Sequence, residues 1–173
     1  NVSDLKISIM ADVGRCDYKN DIVNRSDSAV DMVRVATYIN TMPAAIEMIE
    51  DANRKGYETT CNIMAISNAN ETDIDIALEM LGKSCVDGIY IVYSYGSIYP
   101  EQMRVIADKY VEVGEKYGKE IGIHAHNNQQ LAFANTIESV SRGVNFLDAT
   151  MSSMGRGAGN CAMELLLGFL KNP

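Results

Sequence analysis

Short apolar runs typical of β-strands alternate along this chain with longer segments of helical periodicity. The six strand-like runs occupy residues 6–11, 32–37, 59–66, 88–93, 120–126 and 145–151. Regular alternation of strands and helices is typical of βα units, in which consecutive strands pair in parallel. The pattern therefore predicts an α/β fold with six parallel strands.

The segments after the second to sixth strands carry apolar residues at positions i, i+3, i+4 and i+7, as amphipathic helices do. These stripes occupy residues 45–52, 74–81, 103–111, 133–140 and 163–170. Asn70, with Asp73 three residues later, favours a helix N-terminus at that point. Gly56, Gly118 and Gly143 fall where helices are expected to end. The polar segment after the first strand predicts a loop with at most a short helix.

The strand spacing favours a barrel over an open sheet. The repeat averages about 28 residues, and a closed eight-unit barrel needs about 250. Since the chain has 173 residues, six units fit, and we predict an incomplete (β/α)8 barrel. An open doubly wound sheet would carry a glycine-rich fingerprint after its first strand, which Asp12-Val-Gly-Arg-Cys16 does not match. Both ends look cut, so we expect residues 1–173 to be part of one barrel domain in a longer protein.

Composition and charge narrow the possible functions. Apolar residues make up 47% of the chain and charged residues 22%, which suits a packed core and argues against disorder. The net charge is −8, and the absence of a basic cluster argues against binding nucleic acid or an anionic membrane. No apolar run is long enough to predict a transmembrane helix. The four cysteines are widely spaced, which predicts reduced thiols and a cytoplasmic location.

The two histidines of the chain stand two residues apart, at His124 and His126, in the fifth strand-like run. Because successive side chains of a strand alternate between faces, both should point the same way. At the C-terminal end of a barrel strand that direction is the mouth, where active sites lie. Two neutral imidazoles there predict a divalent metal site. The alternative is a pair of half-buried histidines that bond to their neighbours.

A glycine-rich segment, Gly155-Arg-Gly-Ala-Gly-Asn160, follows the last strand-like run, one βα unit after the histidines. Alternate glycines allow the backbone to approach a ligand closely. A tight loop before a helix would use the same residues. Arg156 within it could bind a substrate carboxylate or be a solvated loop arginine. Cys161, next in the chain, has no neighbouring base, so a buried structural thiol is expected.

These two segments, Ile123-His-Ala-His-Asn-Asn128 and Asp148-Ala-Thr-Met-Ser-Ser-Met-Gly-Arg-Gly-Ala-Gly-Asn160, resemble the DRE-TIM metallolyase family. The family includes 3-hydroxy-3-methylglutaryl-CoA lyase, isopropylmalate and homocitrate synthases, and 4-hydroxy-2-oxovalerate aldolase. The chain most resembles the aldolase branch. The segments 31–36 and 94–102 fit the same family, so the resemblance covers nearly the whole chain.

The resemblance implies a (β/α)8 barrel that makes or breaks a carbon–carbon bond next to a 2-oxo acid or acyl-CoA. It implies a divalent cation, Mn or Mg and sometimes Zn, with His124, His126 and Asn160 as its ligands here. The cation would stabilise charge that develops on an enolate oxygen. The expected substrate is a small 2-oxo or hydroxy-oxo acid, and a homo-oligomer and a dehydrogenase partner are expected. A Claisen-type acyltransferase of the isopropylmalate or homocitrate synthase kind is the alternative.

The chain also departs from the family pattern. The motif D-x-T-L-R-D-G of the first strand, which supplies a ligand Asp and a catalytic Arg, does not occur. By unit count the chain matches strands three to eight, so we expect the catalytic residues upstream of Asn1 and no activity from these residues alone. Tyr93 stands where relatives usually carry Asp, which keeps a non-catalytic degenerate homologue open. A metallo-amidohydrolase would need histidines on later strands, and the sequence has none.

Three further residues are candidates for substrate binding. Arg34 lies inside a strand-like run, where it could reach the mouth or form a salt bridge within the barrel. Ser67 and Ser94 follow strand ends and could contact substrate, although hydrogen bonding within loops would use the same hydroxyls.

Overall fold

The computed structural model describes residues 5–95 and 97–170. Six strands form one parallel sheet in the order β1-β2-β3-β4-β5-β6. The strands are β1 Ser8–Asp12, β2 Met32–Thr37, β3 Glu58–Ile63, β4 Gly88–Tyr93, β5 Glu120–Ala125 and β6 Phe146–Leu147. The predicted number, direction and order of the strands are confirmed.

Six helices connect or follow these strands. They are α1 Tyr18–Asp21, α2 Met42–Arg54, α3 Glu71–Lys83, α4 Pro100–Tyr117, α5 Ala132–Ser141 and α6 Met163–Phe169. The predicted start of α3 is confirmed, because the Asn70 side chain accepts a hydrogen bond from the backbone N–H of Asp73. Gly118 ends α4 in the left-handed conformation, at a φ of 66°, as expected for a helix C-terminus.

Sequential strand order distinguishes a barrel arrangement from a doubly wound sheet, whose strand order reverses at a switch point. Right-handed crossovers between neighbours in a sequential parallel sheet place all helices on one face. The other face then points toward the barrel axis. These six βα units form an incomplete (β/α)8 barrel, as predicted.

Two strands end three or more residues earlier than the sequence predicts. β3 stops at Ile63 rather than at residue 66, because Ala65 takes a left-handed φ of 56° and begins the short 3-10 turn Ile66–Asn68. β6 contains two residues rather than seven. Beyond it the chain pairs with other segments, through a bridge between Thr150 and Ala162.

The side chains of β4 show how the sheet divides its two faces. Ile89, Ile91 and Tyr93 are fully buried in the apolar core. Tyr90 and Val92 alternate with them and face the barrel interior, where the Arg34 guanidinium lies over the Tyr90 ring at 4.3 Å from its centroid. The core between sheet and helices is thus apolar, and the interior carries the polar groups. None of the helices in the described ranges is both long and apolar enough to cross a membrane.

Candidate metal and substrate site

The two histidines lie side by side at the C-terminal end of β5. The ring centroids of His124 and His126 are 4.9 Å apart, with the ring planes nearly perpendicular. His124 belongs to β5, and His126 follows it in an antiparallel bridge with Asn160. The expectation that both rings point the same way from one strand end agrees with this geometry.

A carboxylate fixes the orientation of the His124 ring. Asp148, just after β6, has an Oδ2 atom 2.8 Å from His124 Nδ1, and the same oxygen accepts a hydrogen bond from Arg34 at 2.6 Å. Burial alone would raise the pKa of Asp148, but the hydrogen bonds from His124 and Arg34 outweigh it and hold the pKa below its usual value. An ionised Asp148 can only accept, so Nδ1 of His124 carries a proton, and in a neutral ring Nε2 would be the nitrogen with a free lone pair.

His126 is also suited to be a neutral donor. Burial lowers its pKa, and the neighbouring His124 and Arg156 lower it further. A neutral imidazole is the form that binds a metal ion. His126 therefore offers a neutral nitrogen donor on the same side of the mouth as the His124 ring.

Asn160 reaches the same place through the glycine-rich loop. The Asn160 N–H donates to the Ser153 carbonyl at 3.1 Å, and the Asn127 N–H donates to the Gly159 carbonyl at 2.8 Å. The Asn160 side chain donates from Nδ2 to the Met154 carbonyl at 3.2 Å. Its Oδ1 atom is buried and has no hydrogen-bond partner among the described residues. The loop thus carries one carbonyl oxygen without a partner among the described residues, on a residue whose backbone bridges to His126.

Two glycines allow the close contacts inside this loop. A Cβ atom at Gly155 would lie 2.6 Å from Asn160 Nδ2, and one at Gly159 would lie 2.0 Å from the Ser153 carbonyl oxygen. Gly159 also has a φ of +85°, which side chains disfavour. These contacts agree with the interpretation of the segment as a tight loop.

The donor set fits a divalent cation. Two imidazole nitrogens and an amide oxygen are neutral ligands that Mn, Mg or Zn sites use, and the orphaned Oδ1 of Asn160 would gain a partner. Within residues 5–95 and 97–170, no three His, Cys, Asp or Glu side chains are grouped to hold a metal. The third protein ligand from this chain would therefore be the Asn160 amide.

A cavity of about 490 Å³ opens beside these groups. Its lining residues come from five strand ends and the glycine-rich loop: Met10, Asp12, Ala36, Tyr38, Asn62, Met64, Val92, Ser94, Tyr95, His124, His126, Arg156 and Asn160. Arg34, Tyr90 and Phe146 lie on the same inward face without lining it. Gly122 leaves room for the Tyr90 ring, since a Cβ atom there would lie 2.5 Å from it.

Of the three residues predicted to bind substrate, Ser94 lines the cavity, whereas Arg34 and Ser67 do not. Ser94 lines the cavity, and its Oγ accepts a hydrogen bond from the Ala65 N–H at 3.1 Å. Arg34 lies below the cavity and pairs with Asp148, in keeping with the salt-bridge alternative. Ser67 lies in the 3-10 turn after β3, and the cavity lining does not include it.

Sequence reasoning missed two residues of this site. Asp148 was noted only as part of a motif, although the pairing of Ile123 with Leu147 places it beside His124. Asn62 was not singled out, because one polar residue within a strand-like run has no distinctive pattern. Its position on the inward face, in register with Ala36 and Tyr90, would have indicated it.

Tyr93, the position where relatives usually carry Asp, does not face this cavity. Its hydroxyl accepts a hydrogen bond from Asn135 Nδ2 of α5 at 3.2 Å, and burial raises its pKa well above the usual value. Tyr93 therefore packs between β4 and the helices, outside the cavity.

We expect Asp148→Asn to weaken metal binding by about 10- to 100-fold, the usual effect of losing a carboxylate that orients a ligand. The amide introduced at position 148 could donate to Nδ1 and so move the His124 proton to Nε2, where a metal would bind. Calorimetric titration of the full-length protein with Mn²⁺ measures this. The matched control is Asp108→Asn, at an exposed pair with Arg142. Equal affinities for the two variants would contradict the role of Asp148.

Comparison with known proteins gives the family. The HMGL-like family model matches residues 9–172. An oxaloacetate decarboxylase of Mycobacterium tuberculosis is 33% identical over 156 residues, which cover 87% of this chain and 44% of the relative. A 4-hydroxy-2-oxovalerate aldolase of Geobacillus thermodenitrificans is 29% identical over 141 residues, which cover 82% of this chain and 40% of the relative.

A solved structure supports the same fold. The carboxyl transferase domain of Rhizobium etli pyruvate carboxylase superposes with a TM-score of 0.79 at 16% identity, over 95% of this chain and 31% of that one. The chain thus spans less than half the length of the curated relatives described above. Because the family model covers nearly all of it, the chain belongs to the HMGL-like family.

Proposed function

We propose that the protein containing this chain is a divalent-metal-dependent carbon–carbon lyase that acts on a 2-oxo acid, in the manner of a 4-hydroxy-2-oxovalerate aldolase. The observation that carries the proposal is that His124, His126 and Asn160 line one cavity, and that Asn160 Oδ1 has no partner among the described residues. The expected cation is Mn or Mg, or else Zn. Its Lewis acidity would favour charge on the oxygen of a 2-oxo group.

The residues of this chain would contribute in three ways. Asp148 keeps His124 in one tautomer and orientation, so the donor set is preorganised. Met10, Met64 and Val92 supply apolar walls that limit water beside the reacting carbons. Arg156, exposed on the glycine-rich loop at the cavity, can pair with a substrate carboxylate.

A decarboxylase is the second candidate, and the relative named an oxaloacetate decarboxylase favours it. Aldol cleavage of a 4-hydroxy-2-oxo acid and decarboxylation of oxaloacetate both leave an electron pair on the carbon next to a 2-oxo group. One site that stabilises the resulting enolate oxygen could serve either reaction. The acyl-CoA reactions of the family are a weaker alternative, because the two curated relatives described above are named for reactions of 2-oxo acids.

We also propose that the chain forms strands three to eight of one eight-unit barrel. Supporting this, the relatives extend well beyond the matched region, and Ile9 and Met10 of the edge strand β1 are exposed. On this proposal a further carboxylate ligand and the enolate-stabilising arginine lie outside these residues, which alone would be inactive. A homo-oligomer, a dehydrogenase partner and a cytoplasmic location stay predictions from the sequence.

The full-length protein tests the function. Stripped of metal by a chelator and reloaded with Mn²⁺ or Mg²⁺, it should release pyruvate from 4-hydroxy-2-oxovalerate, and the metal-free form should not. Oxaloacetate, assayed in parallel and corrected for its spontaneous decarboxylation, distinguishes the second candidate. Metal binding without turnover of either substrate, or turnover that survives metal removal, would contradict the proposal.

A further inference from the structure

Asn62 is a buried polar side chain at the cavity that the interactions so far leave unexplained. It lies on β3 and is 2% exposed, yet it lines the cavity with His124 and His126. Its Nδ2 atom is buried without a hydrogen-bond partner among the described residues. The contact with its Oδ1 atom, from Thr60 Oγ1, is long at 3.5 Å.

An unpaired donor in this position needs a physical reason. A buried N–H group without an acceptor loses its bonds to water and gains nothing in return. An apolar residue of similar size would fill the same space on a β-strand without that penalty. An acceptor that arrives with a ligand would remove the penalty, as is common at specificity-determining positions.

The register of the sheet gives the position of Asn62 relative to the proposed metal ligands. Asn62 pairs with Ala36 on one side and Tyr90 on the other, and Ala36 leaves space beside it. β3 and β5 are separated by β4, so their backbones are about 10 Å apart at the usual strand spacing. Tyr90 in turn pairs with Gly122, so Asn62 lies two strands from the histidines and one inward-facing position deeper than His124. A substrate whose 2-oxo group is near the histidines would place its other end toward Asn62.

The chemistry of the wall indicates which group Asn62 meets. Asn62 is neutral, and Met64 and Val92 beside it are apolar. Asp12, which also lines the cavity, is acidic and is 3.5 Å from Arg15. A second carboxylate is usually met by a cation, whereas an amide N–H suits an uncharged hydroxyl or carbonyl oxygen.

We propose that Asn62 binds the distal oxygen of the substrate, the 4-hydroxyl of a 4-hydroxy-2-oxo acid. When the bond between C3 and C4 breaks, C3 keeps the electron pair and takes up a proton, while the hydroxyl oxygen loses its proton and becomes the carbonyl oxygen of the aldehyde product. The inference rests on the proposed aldolase function. Asn62 is a substrate-binding residue on this assignment, because it contacts the half of the substrate that leaves. It would favour 4-hydroxy-2-oxo acids over analogues without the hydroxyl.

Asn62→Leu in the Mn²⁺-loaded full-length protein tests this. We expect kcat/KM for 4-hydroxy-2-oxovalerate to fall about 10- to 100-fold, the range for losing a buried hydrogen bond to substrate. The affinity for pyruvate, which lacks the distal oxygen, should change less than about twofold, as should the affinity for Mn²⁺. The melting temperature of the metal-free variant should be equal or higher, because an unpaired buried donor is removed.

The matched control is Tyr110→Phe. Tyr110 Oη is also buried without a partner among the described residues, but it lies in the core, so its removal should leave every ligand measurement unchanged. Asn62→Val, β-branched and suited to a strand, repeats the test if the leucine does not fit.

The outcomes separate the two proposals. Equal losses for pyruvate and 4-hydroxy-2-oxovalerate, no loss for either, or a clearly lower melting temperature in both Asn62 variants would overturn the assignment of Asn62 and leave the aldolase proposal standing. Absence of wild-type turnover with the 4-hydroxy acid would instead overturn the aldolase proposal and this inference together.

Discussion

Replacing His124 or His126 by alanine is expected to reduce Mn²⁺ affinity of the full-length protein by more than about 100-fold and to abolish 2-oxo acid cleavage. The two rings lie 4.9 Å apart at one strand end, and each would supply one nitrogen donor. Loss of an orienting residue alone costs about 10- to 100-fold in affinity, so loss of a ligand should cost more. Calorimetric titration and pyruvate release measure the two effects.

The two alanine variants should keep the fold, because neither ring is part of the apolar core. Asn128→Ala is a suitable control, since Asn128 is exposed two residues after His126 and does not line the cavity. Unchanged metal affinity in either histidine variant would exclude that residue as a ligand. A fall in the control of similar size would point to general disruption of the loop after β5.

Much of the fold could be predicted from the sequence because its signals are local. Helix stripes, the Asn70 N-cap and the glycines at helix ends depend on residues a few positions apart. The same holds for the two histidines, whose common direction follows from strand alternation. The end of β3 could not be predicted, because the left-handed conformation of Ala65 has no signature in an alanine.

The rest of the site depends on contacts between distant segments. Arg34 and Asp148 are 114 positions apart in the sequence. The sequence therefore left two alternatives for Arg34, namely a salt bridge inside the barrel or a side chain that reaches the mouth. Ser67 was a candidate because it follows a strand, but the turn that begins at Ala65 takes it away from the cavity lining. Only the strand register and the burial identify Asn62 as an amide on the inward face. Its Nδ2 atom has no hydrogen-bond partner among the described residues.

Gly159→Ala is expected to weaken metal binding, although Gly159 contacts no proposed ligand atom directly. The new Cβ would lie 2.0 Å from the Ser153 carbonyl oxygen, which is backbone and cannot rotate away. The loop must therefore open, and the hydrogen bond from the Asn160 N–H to that carbonyl would break. Asn160 would then be displaced from its position next to His126, so we expect Mn²⁺ affinity to fall at least about 10-fold, as for other losses of ligand support.

Gly157→Ala provides the control, because Gly157 also has a positive φ, +66°, but has no atom within 4 Å of the added Cβ. It incurs only the backbone strain of a left-handed alanine, about 1 kcal/mol, whereas Gly159→Ala adds the clash. Since the loop lies at the end of the barrel and not in its core, both variants should retain the circular dichroism spectrum of the wild type. Equal Mn²⁺ affinities for the two variants would show that closure of the loop onto Ser153 does not position Asn160, and would leave the histidines as the metal donors of this chain.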